Sequence, residues 1–154
     1  MALATLDTTE AANKGRAVAL IHPATQVSIG IRFYVLGSDS KEFRRILRKQ
    51  QMENIEKQKK TRRGIYMATP EEIEVNGLEM LVGVTTGWDE DIKNEAGEVT
   101  GVRKEIELNV GEFVAFSPEA VKQIYSNLGF SWIREQIDAE IGDRRDFLPS
   151  AKKG

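Results

Sequence analysis

The chain reads as an α+β domain in which small antiparallel β-hairpins form a sheet packed with about four α-helices. Three observations predict it. Val27, Ile29, Ile31, Phe33 and Val35 alternate with Ser28, Gly30, Arg32 and Tyr34, the period of a half-buried strand. Thr69-Pro70-Glu71-Glu72 joins a cap, a first-turn proline and a box-closing glutamate, which together announce a helix. Ile133, Ile137 and Ile141 repeat every four residues, as one face of a helix does.

A length of 154 residues is one domain's worth, and 40% apolar with 30% charged residues is a globular balance. No run approaches the roughly 18 apolar residues of a membrane span. The start MALATLDTTEAANKG lacks a cationic stretch followed by an apolar core, so no secretory signal is expected. The absence of cysteine excludes disulfides, thiolate metal sites and cysteine nucleophiles, and it fits a reducing cytoplasm.

Residues 1–15 are small and polar and are expected to begin mobile. A single domain over 16–147 follows, with an acidic β-hairpin insertion at about 89–111 and a flexible tail at 148–154. Residues 16–36 form a β-hairpin, with Ala17 to Ile21 as the first strand and 22–26 as the turn, where Pro23 ends the ladder. Asp39 is positioned to cap the first helix, with Glu42 three residues on. Its stripe Phe43, Ile46 and Leu47 then fades into Gln50, Gln51, Asn54, Gln58 and Lys59. Two turns dock on the sheet; the rest, to about Arg63, projects into water or waits for a partner.

The second helix runs from Thr69 to near Gly87. Ile73, Gly77, Met80, Leu81 and Val84 share one face, and Val75, Leu78 and Val82 another, the pattern of a central helix. Gly77 and Gly83 each cost about 1 kcal/mol relative to alanine, so close packing is expected there. Residues 88–116 read as an acidic β-hairpin turning at 94–97, with Ile106, Leu108 and Val110 along one strand and a further short strand at Phe113 to Phe116. Ser117-Pro118-Glu119 starts the third helix, with Val121, Ile124, Tyr125 and Leu128 inward. Ser131 caps the fourth, and the tail from Asp143 to Gly154 is expected to fray.

Charge is uneven. Lys41 to Arg63 holds ten Lys/Arg against three Asp/Glu; Glu71 to Glu107 holds three against eleven. Such a chain can attract copies of itself or grip a partner carrying both signs. The basic helix also suits phosphates, but it lacks interleaved aromatics. Any histidine chemistry rests on His22, which precedes Pro23 in a turn; a turn histidine with a local hydrogen bond is the expectation. Asp89, Asp91, Asn94, Glu95 and Glu98 fail the EF-hand pattern, since Asn94 stands where its sixth-position glycine belongs. There is no phosphate loop. No catalytic, cofactor or metal residue is therefore assigned, and a non-enzymatic binding protein is expected. Trp88 and Trp132 fit either a core or an interface anchor.

Phe116-Ser117-Pro118-Glu119-Ala120, Tyr125, Trp132-Ile133-Arg134-Glu135-Gln136-Ile137-Asp138, Ile141-Gly142-Asp143-Arg144 and Phe147 resemble the tail assembly chaperones of long-tailed bacteriophages. Leu6-Asp7-Thr8, Asn13-Lys14-Gly15, His22-Pro23-Ala24-Thr25, Val35-Leu36-Gly37 and Thr85-Thr86-Gly87-Trp88 are similar to the same family. The acidic stretch 89–111 is longer than in that family, and its role lies outside the resemblance. The resemblance implies binding of the tape measure protein before the tail tube polymerises, recruitment of tube subunits and self-association. It also implies a place in the cytoplasm of the infected host, absence from the finished virion, and a longer product made by programmed −1 frameshifting, with which Ala151-Lys152-Lys153-Gly154 is compatible. The candidate partner-binding residues are Arg44, Arg45, Arg48, Lys49, Met52 and Ile55 on the basic helix, whose stems cover apolar surface while their tips stay wet, with Trp88 and Trp132. The competing readings are a structural tail or connector subunit and a nucleic-acid-binding regulator using residues 41–63.

Overall fold

The computed structural model describes residues 2–61 and 66–149. Its centre is the hairpin of β1 (Arg16–Ile21) and β2 (Ser28–Val35). Alternation puts Val18, Leu20, Phe33 and Val35 on the buried side and Arg32 and Tyr34 on the other. In the turn, His22 Nδ1 accepts from the backbone of Ala24 and Thr25 at 3.1 and 3.2 Å, the local hydrogen bonding expected of it.

The first long helix, α2 (Lys41–Lys60), follows a short α1 (Thr9–Lys14). Its cap is Ser40, whose hydroxyl accepts from Phe43 N at 3.2 Å, and not Asp39. Asp39 is drawn away by Arg144 at 2.7 Å, by Arg44 at 3.0 Å and by the Thr8 hydroxyl. These bonds, Arg144's foremost, hold its carboxyl well below the usual range. The next helix, α3 (Pro70–Val84), has the full expected capping box: Glu72 N donates to Thr69 Oγ1 at 3.2 Å and Thr69 N to Glu72 Oε1 at 2.9 Å. It ends at Val84 rather than near Gly87. Thr85 is already extended, and the chain enters β3 (Thr85–Lys93) directly. There Thr85 Oγ1 donates to Leu81 O at 2.6 Å, which leaves the Tyr125 hydroxyl, 2.8 Å away, as the donor to Thr85. Burial pushes the Tyr125 phenol up.

β3 pairs with β2, placing Trp88 opposite Phe33, and β4 (Val99–Arg103) pairs with β3. The sheet order is β1-β2-β3-β4, antiparallel throughout. The turn at 94–97 is present, with Gly97 at φ 83°, a left-handed conformation that glycine adopts without strain. The stretch read as one acidic hairpin is thus two. β5 (Glu105–Asn109) and β6 (Glu112–Ala115) form a separate two-stranded sheet, tied to β3 where Trp88 Nε1 donates to Val114 O at 3.1 Å. Val110 lies in its turn, fully exposed, not on a strand.

α4 (Pro118–Ser126) buries Val121, Ile124 and Tyr125 beneath the Ser117 cap. Because α4 stops at Ser126, Leu128 falls in a 3-10 turn and is exposed, not inward. That turn leads straight into α5 (Ser131–Ile141), so Ser131 begins the helix and does not cap it. Ile133, Ile137 and Ile141 of α5 pack on the sheet as expected. Burying each contributes about 2 kcal/mol.

Two segments read as mobile or frayed, residues 1–15 and the stretch from Asp143, each place a residue against the core. Ala12 of α1 is buried and its carbonyl accepts from Gly37 N at 3.0 Å. A 3-10 turn over Arg144–Phe147 buries Phe147, whose ring lies against Gly37, where a Cβ would come within 3.0 Å. Residues 150–154, with the Lys152-Lys153 pair, lie outside the described residues. Among the described residues, no helix is long and apolar enough to cross a membrane.

Candidate partner-binding surface

The basic helix is partnered by α3. Lys49 meets Glu79 at 2.5 Å and Lys57 meets Glu72 at 2.5 Å. Numbers rise along α2 as they fall along α3, so the two form an antiparallel helical hairpin. Its base is apolar: Ile46 packs where Gly83 lacks a side chain, and a Cβ there would stand 2.3 Å from Ile46 Cδ1. This is the close packing that the glycine implied. One turn on, Gln50 is buried and donates from Nε2 to Asn76 O at 2.9 Å and to Glu79 Oε1 at 3.0 Å.

Beyond Gln50 the packing ends, and every residue from 51 to 60 is exposed. The stretch from Ile46 to Lys57 rises about 16 Å at 1.5 Å per residue. Its tip is held by charge. Lys57, and after it the Thr69 backbone N–H, brings the Glu72 carboxyl down to about 2. Lys49 and then Gln50 lower Glu79.

The structure gathers six of the expected residues on this helix and separates their roles. Arg44 is engaged by Asp39 and Arg45 by Glu42, and Lys49 is spent on Glu79. Arg48 has no ion pair among the described residues. Met52 and Ile55 are 54% and 46% exposed, and Met52 lines a groove with Val75 and Asn76 of α3. Trp88 is not a surface anchor. It is 3% exposed, with the Phe33 and Phe116 rings each 5.3 Å from its own. Trp132 is half-buried on α5, packed against the core. Neither joins the α2 cluster.

Sequence reasoning missed the α3 half of the surface. A central α3 would bury Ile73 and Val75, but both are 62% exposed; only Leu81 and Val84 are buried. The signal was present in the glutamates at 71, 72 and 79, which suit a neighbour as basic as α2; Glu74 instead pairs with Arg134 of α5. Within the acidic stretch, Asp89, Asp91 and Asn94 have structural partners. Asp89 and Asp91 flank Arg32 at 2.7 and 2.9 Å. Asn94 Oδ1 accepts from the backbone of Ala96 and Glu98. Among the described residues no group of three or more His, Cys, Asp or Glu could hold a metal ion.

The surface can therefore offer methionine, isoleucine and valine side chains framed by both charge signs. That suits an amphipathic helix better than a small polar substrate. Comparisons with family models, with curated proteins and with solved structures find no match to this chain.

Proposed function

We propose that the chain is a non-enzymatic tail assembly chaperone that binds a tape measure protein through the α2–α3 hairpin and keeps it soluble. One observation carries the reading: Met52, Ile55, Ile73 and Val75 are exposed on a hairpin whose distal half is held by ion pairs. An unassembled tape measure exposes long apolar stripes on helices. Flexible methionine and charged stems cover such stripes without demanding one sequence. The surrounding charge keeps the unliganded hairpin in solution. The sequence blocks that resemble phage tail chaperones support the same reading.

The experiment is co-expression of this chain with the long tape-measure-like protein encoded nearby, against that prey expressed alone. The prey becomes soluble and co-purifies with the wild-type chain. Met52→Asp with Val75→Asp abolishes co-purification while circular dichroism stays unchanged. A prey that remains insoluble, or that binds the double variant equally well, refutes the reading. Mass spectrometry of purified virions provides the second arm: many copies of this chain per particle would assign it to the tail structure instead.

A further inference from the structure

Two cavities meet at the turn between α4 and α5. One, of about 420 Å³, is floored by Gly77 and Leu81 of α3 and rimmed by Glu135 and Asp138 of α5. The other, of about 480 Å³, lies between α4 and the β5–β6 hairpin. Leu108, Val114, Ile124 and Phe130 are its apolar walls, and Glu112 stands at its rim. Both volumes fall within the roughly 300–1,000 Å³ typical of binding sites. Asn127 lines both cavities, and Leu128 next to it lines the first. Because α4 ends at Ser126, Leu128 stands out beside them, 90% exposed. The α2–α3 groove uses a different side of α3: Val75, Asn76 and Glu79 line that groove, whereas Glu74, Gly77 and Leu81 line this cavity.

The charge of this surface has one sign. Among the described residues no lysine lines either cavity, and the single arginine, Arg134, is spent. It lies where a Cβ at Gly77 would come within 3.3 Å of it, and it meets Glu74 at 2.5 Å. Glu112, Glu135 and Asp138 have no ion pair among the described residues. Glu112 accepts only from the neutral Asn109 amide, at 2.6 Å, which leaves its charge uncompensated. We infer that this surface binds a basic, apolar segment of another protein. Bulky apolar side chains of that segment enter the two cavities beside Leu128, and its lysine or arginine side chains meet Glu112, Glu135 and Asp138. Charge selects the occupant. The carboxylates repel the phosphates of nucleic acid and of anionic lipid, and they attract cations whose apolar stems can cover Leu128. A metal ion is not the occupant, since among the described residues no group of three or more His, Cys, Asp or Glu could hold one. The α2–α3 groove is framed by both charge signs, this surface by one, and the inference uses no residue of that groove.

The test is selection of a random peptide library, displayed on yeast, against the wild-type chain, with counter-selection on Leu128→Asp. Enriched peptides should combine lysine or arginine with leucine, isoleucine, methionine or phenylalanine. A labelled enriched peptide, followed by fluorescence anisotropy, should bind Leu128→Asp about tenfold more weakly than the wild type. Glu135→Lys with Asp138→Lys should weaken it about tenfold as well, and binding to the wild type should fall as salt rises. Leu128, Glu135 and Asp138 are exposed, so circular dichroism and thermal unfolding should not change. Met52→Asp with Val75→Asp should bind the peptide as the wild type does, which separates this surface from the α2–α3 groove. No enrichment over Leu128→Asp, an acidic or uncharged consensus, or equal binding to the double lysine variant overturns the proposal. No tape measure protein is present in any of these measurements, so their failure leaves the chaperone reading where it stood.

Discussion

The two ends of the α2–α3 hairpin are built by different forces. At the base, Ile46 seats in the notch left by Gly83, beside buried Leu81 and Val84. At the tip, an ion pair between Lys57 and half-buried Glu72 holds the helices together at a surface open to water. Burying a large aliphatic side chain contributes about 1.5–3 kcal/mol, and an exposed ion pair far less. The base is therefore fixed by the fold, while the tip is free to exchange its internal contacts for those of another chain. The same division separates residues that determine stability from residues that can determine binding.

The largest effect expected is at the base. Ile46→Ala removes core volume and should lower unfolding free energy by about 2–5 kcal/mol, read by urea denaturation. An equal loss for Met52→Ala would erase the distinction between base and tip. A smaller effect tests the notch itself. Gly83→Ala forces Ile46 aside and should cost about 1 kcal/mol as an overpacked site. Ile46→Val removes the clashing methyl, so the double variant should lose less than the sum of the singles. Strict additivity would place Ile46 elsewhere.

The smallest effect concerns pH. Glu72 titrates at about 2 in the folded chain against 4.5 for an ordinary glutamate, and Glu79 is also lowered. A depressed carboxyl binds fewer protons folded than unfolded, so its contribution is present above about 4.5 and is lost as pH falls toward 2. Amide exchange in residues 51–60 should accelerate, relative to the base, as pH is lowered through that window once intrinsic exchange rates are divided out. Uniform protection across α2 would show that charge does not hold the tip.

Much of the fold was legible because local chemistry and tertiary placement agree. Thr69-Pro70-Glu71-Glu72 starts a helix in any context, and the alternation from Ile29 to Val35 makes a strand, although Val27, read as its first inward residue, lies before β2 and is exposed. The failures share a cause. Asp39 is a good cap by type, but Arg144, more than a hundred residues away, claims it. Phe147 looked like part of a frayed tail because the groove beside Gly37 that receives it is made by distant residues. Apolar residues on two faces of α3 suggested a central helix, although periodicity does not report which faces find partners. Of the candidate surface, the α2 residues were readable from the fading apolar stripe. Their α3 counterparts were not, since pairing between two helices is a tertiary fact. Trp88 was ambiguous by type and was decided by Phe33 across the strand pair.

Asp39 also has a consequence in time. It binds the Thr8 hydroxyl and Arg144, and Arg16 nearby in sequence joins Glu140 and Asp146. The residues synthesised early therefore find these partners only in residues synthesised late. Until Arg144 and Phe147 have emerged from the ribosome, α1 holds only its bonds to Gly37 and Lys41, and the ion-pair side of the seam stays open. Nascent chains stalled before Asp143 should leave Ala12 accessible to proteolysis at its flanks, and chains released past Phe147 should protect it. On this chain, emergence of the segment from Glu140 to Phe147 acts as the latch.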